Sequence, residues 1–543
     1  MKRGVSIALV LAGMAGFPIR PALGQDTILM TASPECGGGG CFVPIGGHFS
    51  QTVSAACDSV VYTGAVGANM TYTKNGASCT VTFDPQCGQA GLYNFNYKAY
   101  SGGVVGGGIA ELVVVGGCPP GNPGCVDTDG DGLSDDWETC GYNGVNLPAM
   151  GASKLHKDIF VEVDWMAAGP GESAPHEFTA AARDRAIAVF ANAPVSNPDG
   201  IPGINLHIDV GQGGPFTGGN QIPHDMDLNP AYDEVMAIKG NPANFDPARG
   251  RIFHYCVFGH NCAGTTNGGQ GVVGGSDFWI TLGGWPNQAT QKGAAFFVHE
   301  LGHNLGLRHG GNEEINFKPN YLSVMNYLYA HDGLMYMGQR GMLDYSRWGP
   351  EDIPDLDESE LIEVVGLDGP AELDPFGVYF PSDYGYCKQI YVPYANNPVD
   401  WNLDNSISTD PIEADIGGSA NVTQLCLFDI GVLSSYDDWD NLVYTMPSGA
   451  KQRSGADAAV PEIPVEMTYE EYLEIAILPC DMDDSKYHDA LDLSALIDLL
   501  FAGTAAPDPP FRADCNCDQQ PDALDLAVLI DYLFAGGAYP CDQ

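Results

Sequence analysis

HELGHNLGLRH, residues 299 to 309, decides how the rest of this chain is read. The apolar spacing from about Ala289 predicts a helix running into it. On that helix His299 and His303, four apart, share one face, one turn above the other. Two imidazoles so placed can bind one metal ion at about 2.0–2.1 Å each. Glu300 projects beside them, in reach of a water at the metal. Gly306 can take the positive φ that ends a helix, and after that turn His309 can swing back as a third ligand. Three protein ligands leave a fourth position for water, which a catalytic zinc requires and a structural one does not.

A second signal lies sixteen residues beyond His309, in SVMNY, residues 323 to 327. HELGHNLGLRH followed by a methionine in a tight turn resembles the metzincin superfamily of zinc peptidases. The resemblance is tight over about 30 residues and looser over about 155 to 350. It implies an α+β catalytic domain, zinc on His299, His303 and His309, and Met325 as an apolar floor beneath them. It also implies Glu300 as general base, taking a proton from water and passing it to the leaving amine. Tyr327 matches a tyrosine that astacin-like and serralysin-like members place near the metal, where it would donate to the oxyanion. Gly310 fits neither subfamily, so only the superfamily is implied. An extended peptide substrate would add to a sheet edge, for which SDFWITLGG is the candidate strand.

Working outward, 543 residues are too many for one core. Residues 1–24 read as a secretory signal: Lys2 and Arg3, an apolar run to Phe17, then Ala22-Leu23-Gly24. Residues 25–117, rich in Gly, Thr, Val and Tyr with short alternating runs, predict an all-β sandwich. CPPGNPGC opens a hinge over 118–145, and 150–350 alternates strands and helices up to the histidine motif. Residues 351–445 read as an extension of that domain, 446–470 as a linker, and 478–543 as a separate all-α module. Sixteen cysteines point to disulfides in an oxidising compartment. Cys256 and Cys262, with His254 and His260 beside them, read as a short disulfide loop rather than a second metal site. PQCG around Cys87 resembles the cysteine switch of latent metzincins, although a disulfide is the better reading.

Asp plus Glu number 69 against 22 Lys plus Arg, a formal charge of -47. Such a surface repels nucleic acid and anionic membranes. Part of the excess is arranged as calcium ligands. DTDGDGLSDDWE places Asp127, Asp129, Asp131, Leu133, Asp135 and Glu138 at positions 1, 3, 5, 7, 9 and 12 of an EF-type loop, with Gly132 at the sixth. The pattern also resembles thrombospondin type 3 repeats. Near the C-terminus Asp481, Asp483, Ser485, Asp489 and Asp492 recur 33 residues later as Asp514, Asn516, Asp518, Asp522 and Asp525. Each set leads into a near-identical helix, DLSALIDLLFAG and DLAVLIDYLFAG. The duplicated loop and helix resembles a dockerin, which implies weaker calcium sites and a cohesin-like partner. It departs from that pattern in having Lys486 and Gln519 where glycine is usual.

The chain is thus expected to be a secreted or cell-surface zinc endopeptidase with calcium-bound accessory parts and no membrane span. Two alternatives stay open: a binding or scaffold protein with a latent or inactive peptidase domain, and a zinc hydrolase of non-peptide substrates.

Overall fold

The computed structural model describes residues 28–33, 41–44, 49–55, 59–62, 70–76, 78–84, 87, 91–100, 104–116, 126–285, 291–382, 388–418, 430–444, 461–476, 478, 480–485, 488–507, 510–516 and 520–535. The expected signal, the CPPGNPGC stretch and most of the expected linker lie outside them. The chain falls into two compact units: 1–126 with Asp135–Cys140, and Asp127–Ser134 with the remainder from Gly141. Among the described residues no helix is long and apolar enough to cross a membrane.

The first unit is built of eight strands: β1 (Ile28–Ser33), β2 (Cys41–Pro44), β3 (Phe49–Ala55), β4 (Ser59–Tyr62), β5 (Met70–Asn75), β6 (Ser78–Phe83), β7 (Gly91–Tyr100) and β8 (Val104–Gly116). They form two four-stranded sheets, ordered β1-β3-β6-β5 and β2-β8-β7-β4. The alternation in the sequence has its physical counterpart on β6. Cys79, Val81 and Phe83 are buried, while the residues between them face outward. On the outward face Ser78 and Thr80 pair across the sheet with Ser54 and Thr52, hydroxyl to hydroxyl at 2.7 Å. Cys87 is bonded to Cys140 at the end of α1 (Asp135–Cys140), so it is not the free thiol that a cysteine switch needs.

The second unit begins with α2 (Leu147–Met150). Then come β9 (Asp158–Met166), α3 (Ala180–Ala191), β10 (Asn205–Asp209), β11 (Gln221–Ile222), α4 (Ala231–Lys239), β12 (Phe253–Gly259), β13 (Gly269–Gly271), β14 (Asp277–Thr281) and α5 (Gln291–Asn304). The sheet order is β10-β9-β12-β14-β13, with β11 beside β9. All strands run parallel except β13, which is antiparallel to β14 and forms the edge. β9 and β12 are covered on both faces, and the acids this buries on β9 are partnered, Glu162 by Arg249 and Asp164 by the Tyr255 hydroxyl, both at 2.6 Å. Phe178 ties the helices to the sheet, stacking on Phe258 of β12 and Phe297 of α5 at centroid distances of 4.7 and 4.6 Å.

Two expectations are corrected here. SDFWITLGG is not the edge: its strand, β14, is buried at every position and lies between β12 and β13. The edge is β13, whose GQG sequence carries too little apolar signal to be read as a strand. Cys256 and Cys262 are both buried free thiols, not a disulfide. Cys256 packs in the core, and the Cys262 thiol donates to Asn267 Oδ1 at 2.7 Å.

The C-terminal part of the expected linker is packed structure. Residues 461–467 belong to no helix or strand, Thr468 bridges Asn267, and α6 (Tyr469–Ile475) follows behind a capping box of Thr468 and Glu471. Beyond it α7 (Ala490–Ile497) and α8 (Ala523–Ala535) enclose a small core that includes Leu496, Val528 and Leu529. Cys480, just before the first aspartate of one copy, is bonded to Cys515, just after the first aspartate of the other.

Candidate metal centre

α5 carries His299 and His303, and the turn after it carries His309. Leu305 N donates to Leu301 O at 2.9 Å, and Gly306 then takes φ +94°, a value that costs a non-glycine residue energy. All three imidazoles are buried. His299 Nδ1 lies 2.8 Å from the Val324 carbonyl and His303 Nδ1 2.8 Å from the Leu307 carbonyl. A carbonyl only accepts, so both Nδ1 atoms carry a proton and Nε2 is the atom each ring turns toward the centre. Burial pushes the His303 imidazole down to about 4, which keeps it neutral across the neutral range. The three Nε2 atoms are buried and make no hydrogen bond.

Around this face the other expected residues gather. Met325 lies beneath α5, its Sδ only 2.5 Å from where a Cβ on Gly302 would stand. The fourth letter of HELGH is therefore glycine because the methionine floor and Tyr345 fill that space. Tyr327 lies over His309 with ring centroids 4.6 Å apart and stacks with His299 at 5.8 Å. Glu300 is fully buried with neither oxygen hydrogen-bonded. Burial, then the neighbouring Glu466 carboxylate, pushes its carboxyl well above the usual range. Its Oε1 lies against β13, 2.9 Å from a Cβ built at Gly269; only glycine lets the edge strand approach this closely.

Glu466 was not visible in the sequence as part of the centre. Its Oε1 lies 3.3 Å from both His303 Nε2 and His309 Nε2, and its Oε2 lies 3.5 Å from His299 Nε2. Tyr327 Oη donates to Glu466 Oε2 at 2.5 Å and accepts from Met467 N at 3.0 Å. Burial works to raise the Glu466 carboxyl, but the histidines it faces, His309 above all, outweigh this and hold it well below the usual carboxylate range. The segment around it runs antiparallel to the edge strand. Val273 N donates to Glu462 O at 3.0 Å, Gln270 Nε2 to Pro464 O at 3.5 Å, and Asn267 bridges Thr468. A lone glutamate in a Pro-rich stretch more than 150 residues from the motif gives no local signal.

No family model, no curated protein and no solved structure matches this chain. What the centre can do is set by its own side chains. The donor set fits a zinc ion: three imidazole nitrogens and one carboxylate, their atoms within 4.8 Å of one another. Borderline-soft nitrogen donors suit zinc far better than calcium or magnesium.

The acidic loop fits a harder cation. Asp127, Asp129 and Asp131 converge. Asp127 accepts from Gly130 N at 2.8 Å and Gly132 N at 3.0 Å, and Asp131 accepts from Leu133 N and Asp158 N, both at 2.8 Å. Gly132 takes φ +88° at the sharp turn. Burial and the adjacent Asp127 carboxylate push Asp129 up to about 6, and burial and Asp129 push Asp131 well above its usual range. Such crowding of carboxylates is relieved by a bound cation. Leu133 is buried with its backbone in the loop, Asp135 opens α1, and Glu138 is buried on that helix. Replacing Asp127 and Asp131 by Asn is expected to abolish calcium binding here and to make the hinge over 118–145 labile to added protease. Unchanged calcium affinity and unchanged cleavage of the hinge would overturn this assignment.

In the C-terminal part Asp481, Asp483 and Asp492 converge. Asp492 accepts from Met482 N at 2.7 Å, and Asp489 caps α7 through Leu491 N at 2.6 Å. The second copy repeats the arrangement. Asp525 accepts from Cys515 N at 2.6 Å and Asp522 caps α8 through Leu524 N at 2.6 Å. Ser485 N donates to Asp481, while Asp514 is buried and Asn516 lies beside Asp525. Asp518 lies outside the described residues.

Proposed function

We propose that this chain is a secreted zinc-dependent endopeptidase acting on extracellular proteins. The observation that carries the proposal is the convergence of three buried Nε2 atoms, none of them hydrogen-bonded, beside the buried Glu300 carboxyl. His299, His303 and His309 would hold a zinc ion, which would supply Lewis-acid polarisation of the scissile carbonyl and acidify a neighbouring water. Glu300 takes the proton from that water and returns it to the leaving amine. The phenol of Tyr327, which burial and then Glu466 keep protonated, can donate to the oxyanion once the glutamate has left. The β13 edge would take an extended peptide, and residues 462–468 already lie along it, held by Val273 N, the Gln270 side chain and the Asn267 bridge.

One observation favours a second reading, in which this peptidase is latent. Glu466 stands where water and the substrate carbonyl would be, and its segment covers the edge that a substrate needs. The test is therefore made on the full chain carrying Glu466→Ala, by mass spectrometry of new termini in a denatured proteome. New termini that vanish when Glu300→Gln is added support the endopeptidase. Metal-dependent hydrolysis of small esters without new termini would favour a non-peptide hydrolase instead.

The C-terminal part supports a partner. Leu491, Ile497 and Phe501 are 64%, 40% and 71% exposed, and their counterparts 33 residues on, Leu524, Ile530 and Phe534, are 59%, 43% and 71% exposed. Matched apolar positions left open on both copies fit a docking face for a cohesin-like domain. Circular dichroism of residues 478–543 is expected to gain helix on adding calcium. No gain would count against a calcium-folded docking module.

A further inference from the structure

We propose a second zinc site, closed and structural, held by Glu172, His176, His224 and His260. Glu172 and His176 lie in the loop between β9 and α3, His224 two residues after β11, and His260 directly after β12. All three segments end at the same side of the sheet, because β9, β11 and β12 are parallel. Their ligand atoms lie within 4.8 Å of one another. Glu172 Oε1 is 2.5 Å from His260 Nδ1, and Glu172 Oε2 is 3.1 Å from His176 Nε2 and 3.8 Å from His224 Nε2.

The contacts are not an ordinary hydrogen-bonded cluster. His176 Nε2, His224 Nε2 and His260 Nδ1 are all buried and none meets hydrogen-bond geometry with any group. Glu172 Oε2 is already committed to Gly169 N at 2.5 Å. Buried imidazole nitrogens turned inward without a partner cost energy unless something binds them. One divalent ion with nitrogen affinity binds all three at once and neutralises the carboxylate as well.

Space for the rings is built in. A Cβ on Gly169 would stand 2.4 Å from His224 Nε2, and one on Gly283 would stand 2.4 Å from His260 Nδ1. Ring centroids are 5.2 to 5.9 Å apart, three rings around one centre. Three nitrogens and one carboxylate fill a tetrahedral zinc with protein alone, so this site keeps no open position.

Its position gives it a task. His260 opens the loop that leads into the edge strand β13, and the same loop is held by the Leu228–Cys262 bridge and by Gly264 N donating to Asp227 Oδ1 at 2.8 Å. A zinc joining His260 to the loops after β9 and β11 fixes the start of that edge, and with it the register of an extended peptide. The site shares no residue with the His299 centre, so its failure leaves the endopeptidase proposal standing.

The test is metal content, not activity. Full-length protein is saturated with zinc in calcium, dialysed, and analysed by inductively coupled plasma mass spectrometry. The wild type is expected to hold two zinc ions per chain, H176A/H260A one, and H299A/H303A one. Because loss of folding in H176A/H260A would also remove zinc, H299A/H303A is the deciding variant: its second site is untouched. Cobalt in that variant is expected to bind at one equivalent, with the strong visible absorption of four-coordinate cobalt, and to raise the melting temperature. No bound metal in H299A/H303A, or two ions retained by a folded H176A/H260A, would overturn the proposal.

Discussion

Replacing Glu466 by Ala is expected to raise the peptidase activity of the full chain by about 10- to 100-fold. The carboxylate makes a charge-assisted hydrogen bond with Tyr327 and faces all three histidine nitrogens. Contacts of this kind contribute roughly 1.5–3 kcal/mol, and each 1.4 kcal/mol shifts an equilibrium tenfold. Only molecules in which the segment has swung away can accept a substrate, so apparent activity scales with that open fraction. Losing the carboxylate leaves the main-chain contacts of Glu462, Pro464 and Thr468 to hold the strap, which weakens it without deleting it. Glu466→Gln, which keeps the shape but not the charge, should lie between Ala and the wild type. Initial rates on a quenched fluorescent peptide, with zinc content measured in parallel, decide the matter. Equal rates at equal zinc content would show that the strap does not limit access.

The histidine centre was legible because its spacing is local. His299 and His303 share a helical face by period alone, Gly306 supplies the turn, and Met325 and Tyr327 follow within one short stretch. The convergence of Asp127, Asp129 and Asp131 was legible for the same reason, with carboxylates at alternate positions of a single turn. Glu466 was not, since nothing within ten residues of it points to a metal; its role arises only because 461–468 lies along β13. Glu172, His176, His224 and His260 were equally hidden. Each is ordinary in its own loop, and parallel strands from three separate segments bring them together.

The edge strand shows a different limit. GQG has neither alternation nor β-branched residues, so period gives no strand there. What selects those glycines is the near contact with α5: a Cβ on Gly271 would stand 2.5 Å from the Glu300 carbonyl oxygen. A constraint that comes from packing leaves a residue type in the sequence but not its reason. His254 is a related case. It is a buried partner of Asn304 at 3.0 Å, and burial pushes it down to about 4, so its closeness in sequence to His260 carries no chemistry.

Glu300→Gln, made in the Glu466→Ala chain, is expected to lower kcat by about 100- to 10,000-fold, the usual contribution of a positioned acid–base group. The amide has the same shape and fits the same buried space beside Gly269, yet it cannot accept the proton of a neutral water. The change should not unfold the protein, because it replaces a buried carboxyl without hydrogen-bond partners by a neutral group. None of the three histidines is altered, so zinc content is expected to stay at the level of the parent. KM should change little, since the substrate is held by the β13 edge and not by this side chain. The loss would then fall on kcat, as expected for a group that acts in the transition state. Retention of more than about a third of the parent kcat would remove Glu300 from the mechanism, because a positioned general base typically contributes about 100-fold or more. A loss of activity accompanied by loss of zinc would instead assign Glu300 to holding the site together.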